Sequence, residues 1–356
     1  MDYADHIKSV KSYIRLPLVY NHWYVAGLAE EFTREPRAKT LLERSIVFYR
    51  TEAGEPVAFQ NRCLHRSFPL AKGYLEGDNL VCRYHGLRYA PDGSIARIPC
   101  QEKTSKRRLH KYPLREMGPF VFIWMGDPEQ PDESTLPDLP FLSDPGFRTV
   151  FDSADYQGSY MLMQENLNDL THFAYLHKDT FYFGDFFFEL PTEVKKVDGR
   201  VWCNRIDKDP RSIGILPPDI QERIKDRPVE RWDGGMFVSP GVFKGYAPIY
   251  VGEPDAPDRE VFKQHIMHYL TPETRSSTHY WWSMSNDFAL DNEAYYAGLK
   301  SHLAEGFAED RWACNHMQTL LDNDHIDYNE MKIAGDQAGL LFRRVMLDWV
   351  QQEYSE

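Results

Sequence analysis

Two short loops of the sequence each contribute one cysteine and one histidine. They are Cys63-x-His65 and Cys82-x-x-His85, and sixteen residues separate the two pairs. Thiolate and imidazole are soft to borderline ligands, which select zinc or an iron-sulfur cluster over hard cations. Structural zinc sites typically pair two cysteines at a short spacing, whereas each pair here is mixed. The four residues therefore predict a metal centre, and zinc and an iron-sulfur cluster are the alternatives.

The mixed pairing favours one of these alternatives. In a Rieske centre two cysteines bind one iron and two histidines bind the other, and two mixed loops supply that division directly. The segments "CLHR" and "CRYHG" resemble the Rieske signature, including the aromatic residue before the second histidine and the glycine after it. The other three cysteines fall outside the pattern, and we expect them to be packing residues. The resemblance implies a 2Fe-2S cluster with the ligands Cys63, His65, Cys82 and His85.

A second group of polar residues lies within "ENLNDLTHFAYLHK", namely Asn166, Asp169, His172 and His177. On an α-helix Asp169 and His172 share a face because they are three residues apart. His172 and His177 are five apart and would diverge by about 140° at 3.6 residues per turn. Joint metal binding therefore requires a π-type turn or a helix break, which are frequent at functional sites. Taken alone, histidines on a partly apolar helix are more often core or interface residues.

Two histidines and a carboxylate on one face of an iron ion, with open positions opposite, form the site of non-haem Fe(II) oxygenases. Following a Rieske motif, the run resembles the mononuclear-iron motif of Rieske oxygenases, with His172 and His177 as ligands. The resemblance implies a third ligand, an aspartate on a C-terminal helix. The segment "GFAEDRWACNHMQ" is similar to that helix, so the third ligand is expected to be Asp310, with the adjacent Glu309 as the rival.

The resemblance extends over nearly the whole chain, from "NHWYVAG" (21–27) to "AEDRW" (308–312), and is closest to the vanillate O-demethylase and dicamba monooxygenase group. By resemblance Asn166 lies near the iron, and His268 in "HYLTPET" contacts substrate, although a structural histidine is an equal alternative. Two further histidines, His316 and His325, have no place in the family pattern. We expect the aromatic-rich segments 181–190 and 234–246 to line the substrate pocket.

The family implies an oxygenase component that uses O2 and external electrons to oxidise an aromatic substrate, by O-demethylation or monooxygenation of an aromatic acid. Alternatives are hydroxylation, N-demethylation or ring dihydroxylation of another cyclic substrate, and, outside enzymes, a zinc-binding module or an electron carrier. No G-x-G-x-x-G follows a predicted strand. Electrons from NAD(P)H are therefore expected from a separate reductase, directly or through a ferredoxin.

The family also implies a homotrimer in which the cluster of one subunit reaches the iron of the next. By resemblance Asp169 is the catalytic bridge between the two centres. Its carboxylate would accept hydrogen bonds from His172 of its own chain and from His85 of the adjacent chain.

Two regions with different patterns of apolar residues must position these side chains. From about Tyr20 to Trp124, short alternating apolar runs are broken by Gly, Pro and Asp, which predicts an antiparallel β domain. A segment rich in Pro and acidic residues (126–146) indicates a linker between two domains. Beyond it, strand-like runs lie between helical segments at 160–178 and over the last sixty residues, which predicts an α+β domain. We assign residues 1–140 to the Rieske domain and 141–356 to the catalytic domain, for which the resemblance implies a helix-grip fold.

Composition excludes several classes of protein. Hydrophobic residues are 42% and charged residues 27%, which is ordinary globular usage. The net charge of -13 argues against nucleic acid as a partner. No run of apolar residues is long enough to span a bilayer and no signal peptide is recognisable, so a cytoplasmic location without membrane association is expected. Residues 50–116 carry 13 Lys or Arg against 7 Asp or Glu. This basic stretch is either a solvated loop region or a dock for an acidic reductase.

Overall fold

The computed structural model describes residues 9–181, 189–208, 216–324, 326 and 330–354. They form two compact units. The N-terminal unit comprises Tyr20–Leu136 with Thr271–Thr274, and the C-terminal unit comprises residues 9–19, Pro137–Leu270 and the chain from Arg275 onward. The domain boundary at residue 140 stays a prediction. The compact units differ from it most at the start of the chain, because residues 9–19 group with the C-terminal unit.

The N-terminal unit consists of short antiparallel strands. In chain order the strands are β1 (Trp23–Leu28), β2 (Arg37–Leu41), β3 (Arg44–Arg50), β4 (Pro56–Gln60), β5 (Tyr74–Glu76), β6 (Asn79–Val81), β7 (Arg88–Tyr89), β8 (Ile95–Arg97), β9 (Leu114–Met117) and β10 (Phe120–Trp124). They form three sheets, with the orders β1-β10-β9, β2-β3-β4 and β5-β6-β7-β8. Hairpin turns between β5 and β6 and between β9 and β10 use Gly77 and Gly118 at positive φ, a conformation that glycine adopts without strain.

A hydrophobic core lies beneath the two cysteine-histidine loops. Side chains of β3, β4, β6 and β7, including Tyr49, Phe59 and Leu80, pack in one buried cluster with Cys63 and Cys82. Aromatic and β-branched residues suit such pleated, half-buried surfaces. The loops therefore begin from rigid, buried cysteines.

The C-terminal unit is built on a nine-stranded sheet. Its main path runs β11-β19-β18-β15-β14-β13-β12, with β16 paired to β14 and β17 paired to β16. The strands are β11 (Arg148–Tyr156), β12 (Glu193–Val197), β13 (Arg200–Asp207), β14 (Val229–Ser239), β15 (Val242–Tyr246), β16 (Ile249–Val251), β17 (Glu260–Phe262), β18 (Gln264–Pro272) and β19 (Thr278–Asn286). Every residue of β19 is buried, so both faces of this strand are covered by other parts of the protein.

The helices of this unit are α1 (Val10–Tyr13), α2 (Tyr160–Leu167), α3 (Pro218–Ile224), α4 (Glu293–Asn323) and α5 (Gln337–Tyr354). The long helix α4 begins at an N-cap, where the side chain of Asn292 accepts a hydrogen bond from the Tyr295 N–H at 3.0 Å. Helix α2 ends at Leu167 and a 3-10 helix (Leu170–Ala174) follows after a break. The 3-10 helix ends at Ala174, between His172 and His177, so the break that joint metal binding required is confirmed, whereas a continuous helix over 160–178 is not formed.

The predicted fold class is confirmed: an all-β N-terminal unit and an antiparallel sheet with packed helices in the C-terminal unit. Among the described residues, no helix combines the length and the apolar character needed to cross a membrane.

Candidate metal centres and substrate cavity

The four predicted cluster ligands lie on two loops of the N-terminal unit. The first loop follows β4 and the second connects β6 to β7. The second loop closes with a hydrogen bond from the Gly86 N–H to the Cys82 carbonyl at 2.9 Å. Gly86 has φ 72°, and an added Cβ would lie 3.0 Å from Pro99. A side chain at this position would therefore be strained, which explains the glycine after His85.

The ligand side chains divide by burial. Cys63 and Cys82 are buried, whereas His65 and His85 are exposed, with their Nδ1 atoms 3.2 Å apart. Burial and the neighbouring Cys63 raise the pKa of the Cys82 thiol, so the buried sulfurs need a positive charge before both can ionise. Two thiols on the inner side and two imidazole nitrogens on the outer side fit the donor set of a 2Fe-2S Rieske cluster.

Tyr89 approaches the first of these sulfurs from the core. Its hydroxyl oxygen lies 3.2 Å from Cys63 Sγ and accepts a hydrogen bond from the Leu64 N–H at 3.1 Å. Because the oxygen already accepts from Leu64, its hydrogen is available to the sulfur. Sequence reasoning missed this contact because no ligand spacing points to a tyrosine.

The predicted iron ligands come from two helical elements of the C-terminal unit. His172 belongs to the 3-10 helix, His177 follows it, and Asp310 lies on α4. One ligand atom from each residue lies within 4.8 Å of the others. Tertiary packing of α4 against the segment after α2 therefore brings together residues that are far apart in the chain.

The carboxylate is the centre of this arrangement. Asp310 Oδ1 lies 3.1 Å from His177 Nε2 and 3.4 Å from His172 Nε2. Burial alone would raise the pKa of Asp310, but the two histidines outweigh burial and hold it well below its usual range. For His177 burial has the opposite effect and lowers the pKa, but Asp310 and Glu309 outweigh it and raise the pKa above its usual value. The site thus presents a buried anionic oxygen facing two imidazole nitrogens.

In the described part of the chain, buried polar atoms at this site lack hydrogen-bond partners, which suits a site that binds a cation. His172 Nε2 is buried without a hydrogen-bond partner of good geometry, although Asp310 lies near it. Asn166 Nδ2 donates to Asp310 Oδ1 at 3.0 Å, while Asn166 Oδ1 is buried without a partner. Buried polar groups are normally paired, and an iron ion would satisfy the imidazole nitrogens and the carboxylate together. The donor set therefore fits a mononuclear non-haem iron.

Glu309, considered above as the rival ligand, lies on the other side of His177. Its Oε2 lies 2.7 Å from His177 Nδ1, and the Thr180 hydroxyl donates to the same oxygen at 2.6 Å. Asp310 thus faces the Nε2 side of the imidazole and Glu309 faces the Nδ1 side. The structure separates the two adjacent acids, which sequence reasoning left as alternatives.

Asp169 occupies the break after α2. Its carboxylate accepts hydrogen bonds from the Thr171 N–H and the Thr171 hydroxyl, both at 2.8 Å, and it caps the 3-10 helix. The intrachain part of the predicted bridge needs correction, because no hydrogen bond joins Asp169 to His172 among the described residues. Capping directs the carboxylate toward the backbone of its own helix. His316 contacts Trp312 and not the site, and His325 lies outside the described residues.

A cavity of about 330 Å³ adjoins two of the three predicted iron ligands, His172 and Asp310. Asn166, His172, Asp310 and His268 lie in its wall, together with Phe181, Phe243, Gly245 and Tyr246 from the predicted pocket segments. Positions 182–188 of the first of these segments fall outside the described residues. Most of the remaining wall is apolar, and a concave apolar wall with few polar groups suits a small, largely apolar ligand. The apolar lining residues include Leu167, Leu170, Phe173, Ile266, Leu303 and Phe307.

His268 is the polar group on the sheet side of this cavity. Its Nδ1 lies 2.7 Å from the Tyr280 hydroxyl, and burial lowers its pKa to about 4, so the imidazole is neutral. The Tyr280 hydroxyl has no further hydrogen-bond partner in the described part of the chain. The hydroxyl can donate to Nδ1, an arrangement that places the proton of the neutral ring on Nε2. In that tautomer His268 has an N–H with no hydrogen-bond partner among the described residues.

A buried ion pair in the same wall was missed by sequence reasoning. Arg231 donates to Asp233 Oδ1 through Nε at 3.1 Å and Nη2 at 2.6 Å. Burial raises the pKa of Asp233, and Arg231 opposes that effect. Arg231 and Asp233 are two residues apart on β14, so their side chains lie on the same face of the strand. Opposite charges two apart in a buried strand were the only available signal.

Two known domain families match the chain. The Rieske [2Fe-2S] domain matches residues 22–113. The vanillate O-demethylase oxygenase C-terminal domain matches residues 156–352. These matches agree with the predicted fold of both regions.

Several proteins are similar over most of their length. The iron-sulfur subunit of the toluene-4-sulfonate monooxygenase system from Comamonas testosteroni is 31% identical over 350 residues, covering 93% of this chain and 96% of that protein. The oxygenase component of dicamba O-demethylase from Stenotrophomonas maltophilia is 29% identical, covering 83% of this chain and 86% of that protein. The oxygenase subunit of vanillate O-demethylase from a Pseudomonas strain is 27% identical, covering 92% and 93%.

Solved structures of dicamba monooxygenase are similar to this chain over nearly its whole length. Dicamba monooxygenase bound to dicamba superimposes with a TM-score of 0.80 at 26% identity, covering 96% of this chain and 100% of that chain. Dicamba monooxygenase with non-haem iron and dicamba gives a TM-score of 0.79 at 25% identity, covering 95% and 99%.

Proposed function

The chain belongs to the family of Rieske non-haem iron oxygenases that includes the vanillate O-demethylase oxygenase components, and on this basis we propose that it oxidises an aromatic acid by O-demethylation or monooxygenation. Its cofactors are a Rieske 2Fe-2S cluster and a mononuclear non-haem iron. Its electrons come from a separate reductase, as in the multicomponent systems to which its relatives belong. The observation that carries the proposal is the convergence of His172, His177 and Asp310 beside an apolar cavity.

Each metal group has a proposed set of ligands. Cys63 and Cys82 would hold one iron of the cluster, and His65 and His85 the other. The burial of the thiols and the 3.2 Å approach of the two Nδ1 atoms support this division. His172, His177 and Asp310 would hold the mononuclear iron, which the unpartnered Nε2 of His172 supports. When bound, the cluster supplies electrons and the mononuclear iron activates dioxygen beside the substrate.

Residues around the iron site hold its ligands in place. Asn166 donates to Asp310 and so restrains the carboxylate beside the two imidazoles. The buried environment of His177 and Asp310 keeps bulk water from the site. Asn166 is therefore proposed as a residue that orients an iron ligand.

Asp169 is proposed as the link between the two metal centres of neighbouring subunits in a homotrimer. Its two oxygens each accept one hydrogen bond from Thr171, and an ionised carboxylate has lone pairs for further donors. Tyr84 beside His85 is 55% exposed, and in the C-terminal unit Tyr175 and Trp312 are 71% and 59% exposed. Exposed aromatic side chains are enriched at protein interfaces, which supports association of the subunits.

The substrate is proposed to lie in the cavity with an acceptor oxygen toward His268. The Nε2–H of His268, fixed by Tyr280, would donate to a carboxylate, carbonyl or phenol oxygen of the substrate. If the oxidised carbon is an aryl methoxy group, one oxygen atom of O2 enters the methyl group and the other leaves as water, with two electrons and two protons consumed. The hydroxylated methoxy group then breaks down to a phenol and formaldehyde.

The reductase, or a ferredoxin between it and the oxygenase, is proposed to dock on the basic stretch of the N-terminal unit. Lys106, Arg107 and Arg108 are exposed. Arg108 is partly neutralised because its Nη1 lies 2.9 Å from Asp92 Oδ2. Lys106 and Arg107 therefore present the stronger field to an acidic partner.

A cytoplasmic location is also proposed. Its support is that all five cysteines are free thiols, and that two of them must stay reduced to bind iron.

A single-turnover experiment tests the proposed reaction. The protein is reduced chemically without air, freed of reductant, and exposed to O2 with a panel of methoxylated aromatic acids and unmethylated analogues. Formaldehyde and a phenol from one panel member establish O-demethylation, whereas a hydroxylated product establishes monooxygenation. The Asp310→Ala variant is the control and should form neither product. Equal product from that variant would contradict the assigned iron site.

A further inference from the structure

Glu309 lies on the Nδ1 side of His177, and the proposed ligand Asp310 lies on the Nε2 side. Building on the proposed function, we propose that Glu309 is a positioning residue that fixes the tautomer and orientation of His177 for metal binding. It would act through the imidazole and not as a ligand.

The geometry around His177 leaves little freedom. The imidazole is fully buried, with Glu309 Oε2 2.7 Å from Nδ1 and Asp310 Oδ1 3.1 Å from Nε2. Glu309 and Asp310 are neighbours on α4, where successive residues point about 100° apart. They nevertheless reach opposite sides of one ring, because His177 lies across the helix face between them.

The position of Glu309 is itself restrained. The Thr180 hydroxyl donates to the same Oε2 atom at 2.6 Å. A carboxylate oxygen that accepts from both Thr180 and His177 has no proton to donate when ionised. His177 must therefore carry a proton on Nδ1, so that Nε2 is the nitrogen whose lone pair would bind the metal beside Asp310.

The other histidine of the site has no equivalent support. Among the described residues, His172 has no carboxylate on its second ring nitrogen, and its ring is partly exposed. The two histidines therefore differ: a carboxylate contacts the second ring nitrogen of His177, and none among the described residues contacts that of His172. An outer carboxylate that orients a metal-binding histidine also increases the basicity of the ligand.

The test compares iron retention in variants of the holoenzyme. Wild type, Glu309→Ala and Glu309→Gln are loaded with Fe(II) without air, and the rate of iron withdrawal by a ferrous chelator is measured. We expect Glu309→Ala to weaken iron binding by about 10- to 100-fold, the usual effect of losing an outer carboxylate. Glu309→Gln should rescue most of the loss, because its amide oxygen can still accept from His177 and Thr180. Wild-type retention in Glu309→Ala would overturn the proposal.

Two controls separate positioning from general damage. Glu305→Ala removes an exposed acid one turn earlier on the same helix and should retain iron as wild type does. The visible absorbance of the cluster should be unchanged in every variant, which reports folding of the N-terminal unit. If Glu309→Ala folds poorly, Thr180→Val provides a second test, because it leaves the charge in place but frees the carboxylate. Thr180→Val should lose iron more slowly than Glu309→Ala but faster than wild type, and wild-type retention would count against the proposal.

Failure of this inference differs from failure of the proposed function. If Asp310→Ala loses iron while Glu309→Ala keeps it, the iron site stands and only the role of Glu309 is wrong. If Asp310→Ala also keeps its iron, the metal centre itself is wrongly assigned.

Discussion

The two proposed metal centres are built in opposite ways. The cluster ligands lie on two loops close together in the sequence, with buried thiols and exposed histidines. The proposed iron ligands come from a short 3-10 helix, from the turn after it and from α4, and His177 and Asp310 are buried. The first centre turns its histidines toward solvent, where electrons can arrive. The second buries two of its three ligands beside a cavity.

The difference explains why each centre needs a different support. Buried strands anchor Cys63 and Cys82, so the loops carry their own geometry. At the iron site, by contrast, Asn166 holds Asp310, and Glu309 and Thr180 hold His177. A site assembled from distant segments depends more on outer contacts, because no local turn fixes its ligands.

The largest expected effect separates the two centres. Cys82→Ser should abolish the cluster and leave mononuclear iron in place, whereas Asp310→Ala should abolish the iron and leave the cluster in place. Both variants should lose turnover, because each lacks a required ligand. Metal and sulfide analysis with visible absorbance measures the two centres separately. Cys100→Ser, which changes an exposed cysteine outside the motif, should retain both. Loss of both centres in either variant would show that they are not built independently.

The next largest effect concerns the connection between the centres. Asp169→Asn should leave both metals bound and reduce turnover toward the upper end of the about 10- to 100-fold typical of outer contacts. Asparagine caps a helix as well as aspartate does, so the 3-10 helix should persist. Rates of cluster oxidation by O2 with substrate present measure the effect. Asp179→Asn, an exposed change in the same segment, is the control. Normal turnover in Asp169→Asn would contradict the bridge.

A moderate effect is expected at the surface of the N-terminal unit. Charge reversal at Lys106, Arg107 and Arg108 should lower reductase-driven turnover by about 10-fold at low salt. Chemically reduced protein should remain competent, because the metal centres are untouched. Steady-state rates with reductase measure electron delivery, whereas single-turnover yields of chemically reduced protein measure the competence of the metal centres.

The control for this surface is charge reversal at Lys195, Lys196 and Lys225, which are exposed lysines of the C-terminal unit. These changes should leave reductase-driven turnover unchanged. Equal losses in both sets would mean that net charge, and not a dock, controls the rate.

The smallest effect sharpens the description of the cavity. Tyr280→Phe removes the hydroxyl that fixes His268, and we expect a loss of about 1 kcal/mol in substrate binding, or about fivefold in KM. The kcat value should change less, because the Tyr280 hydroxyl is hydrogen-bonded to His268 and, among the described residues, to no iron ligand. Tyr269→Phe removes another buried hydroxyl, on the neighbouring strand, and should leave KM unchanged. An unaltered KM in Tyr280→Phe would mean that His268 does not bind substrate.

Sequence reasoning was most complete where ligands are close together. The spacing of Cys63, His65, Cys82 and His85 predicts one centre without reference to the rest of the chain. Helical periodicity also required a break between His172 and His177, and the 3-10 helix ends between them at Ala174. The strands and the long C-terminal helices were predicted as well, because their apolar patterns follow the periods of two and 3.6 residues.

Contacts between distant side chains could not be predicted in this way. Sequence left Glu309 and Asp310 as rivals, and only the packing of α4 against the segment after α2 gives each a separate role. Sequence also placed Asp169 against His172, whereas helix capping turns its carboxylate to Thr171. Local competition for hydrogen bonds decides such details, and composition does not record it.

The sequence by itself determined the kinds of ligand, their grouping and the class of fold, because ligand chemistry and backbone periodicity are local properties. Only the tertiary structure decided which acid faces each ring nitrogen of His177, which hydroxyl contacts His268, and which side chains line the cavity. Those properties depend on the directions of side chains from separate elements. Directions are fixed by packing across the sheet and helices, and a spacing along the chain cannot specify them.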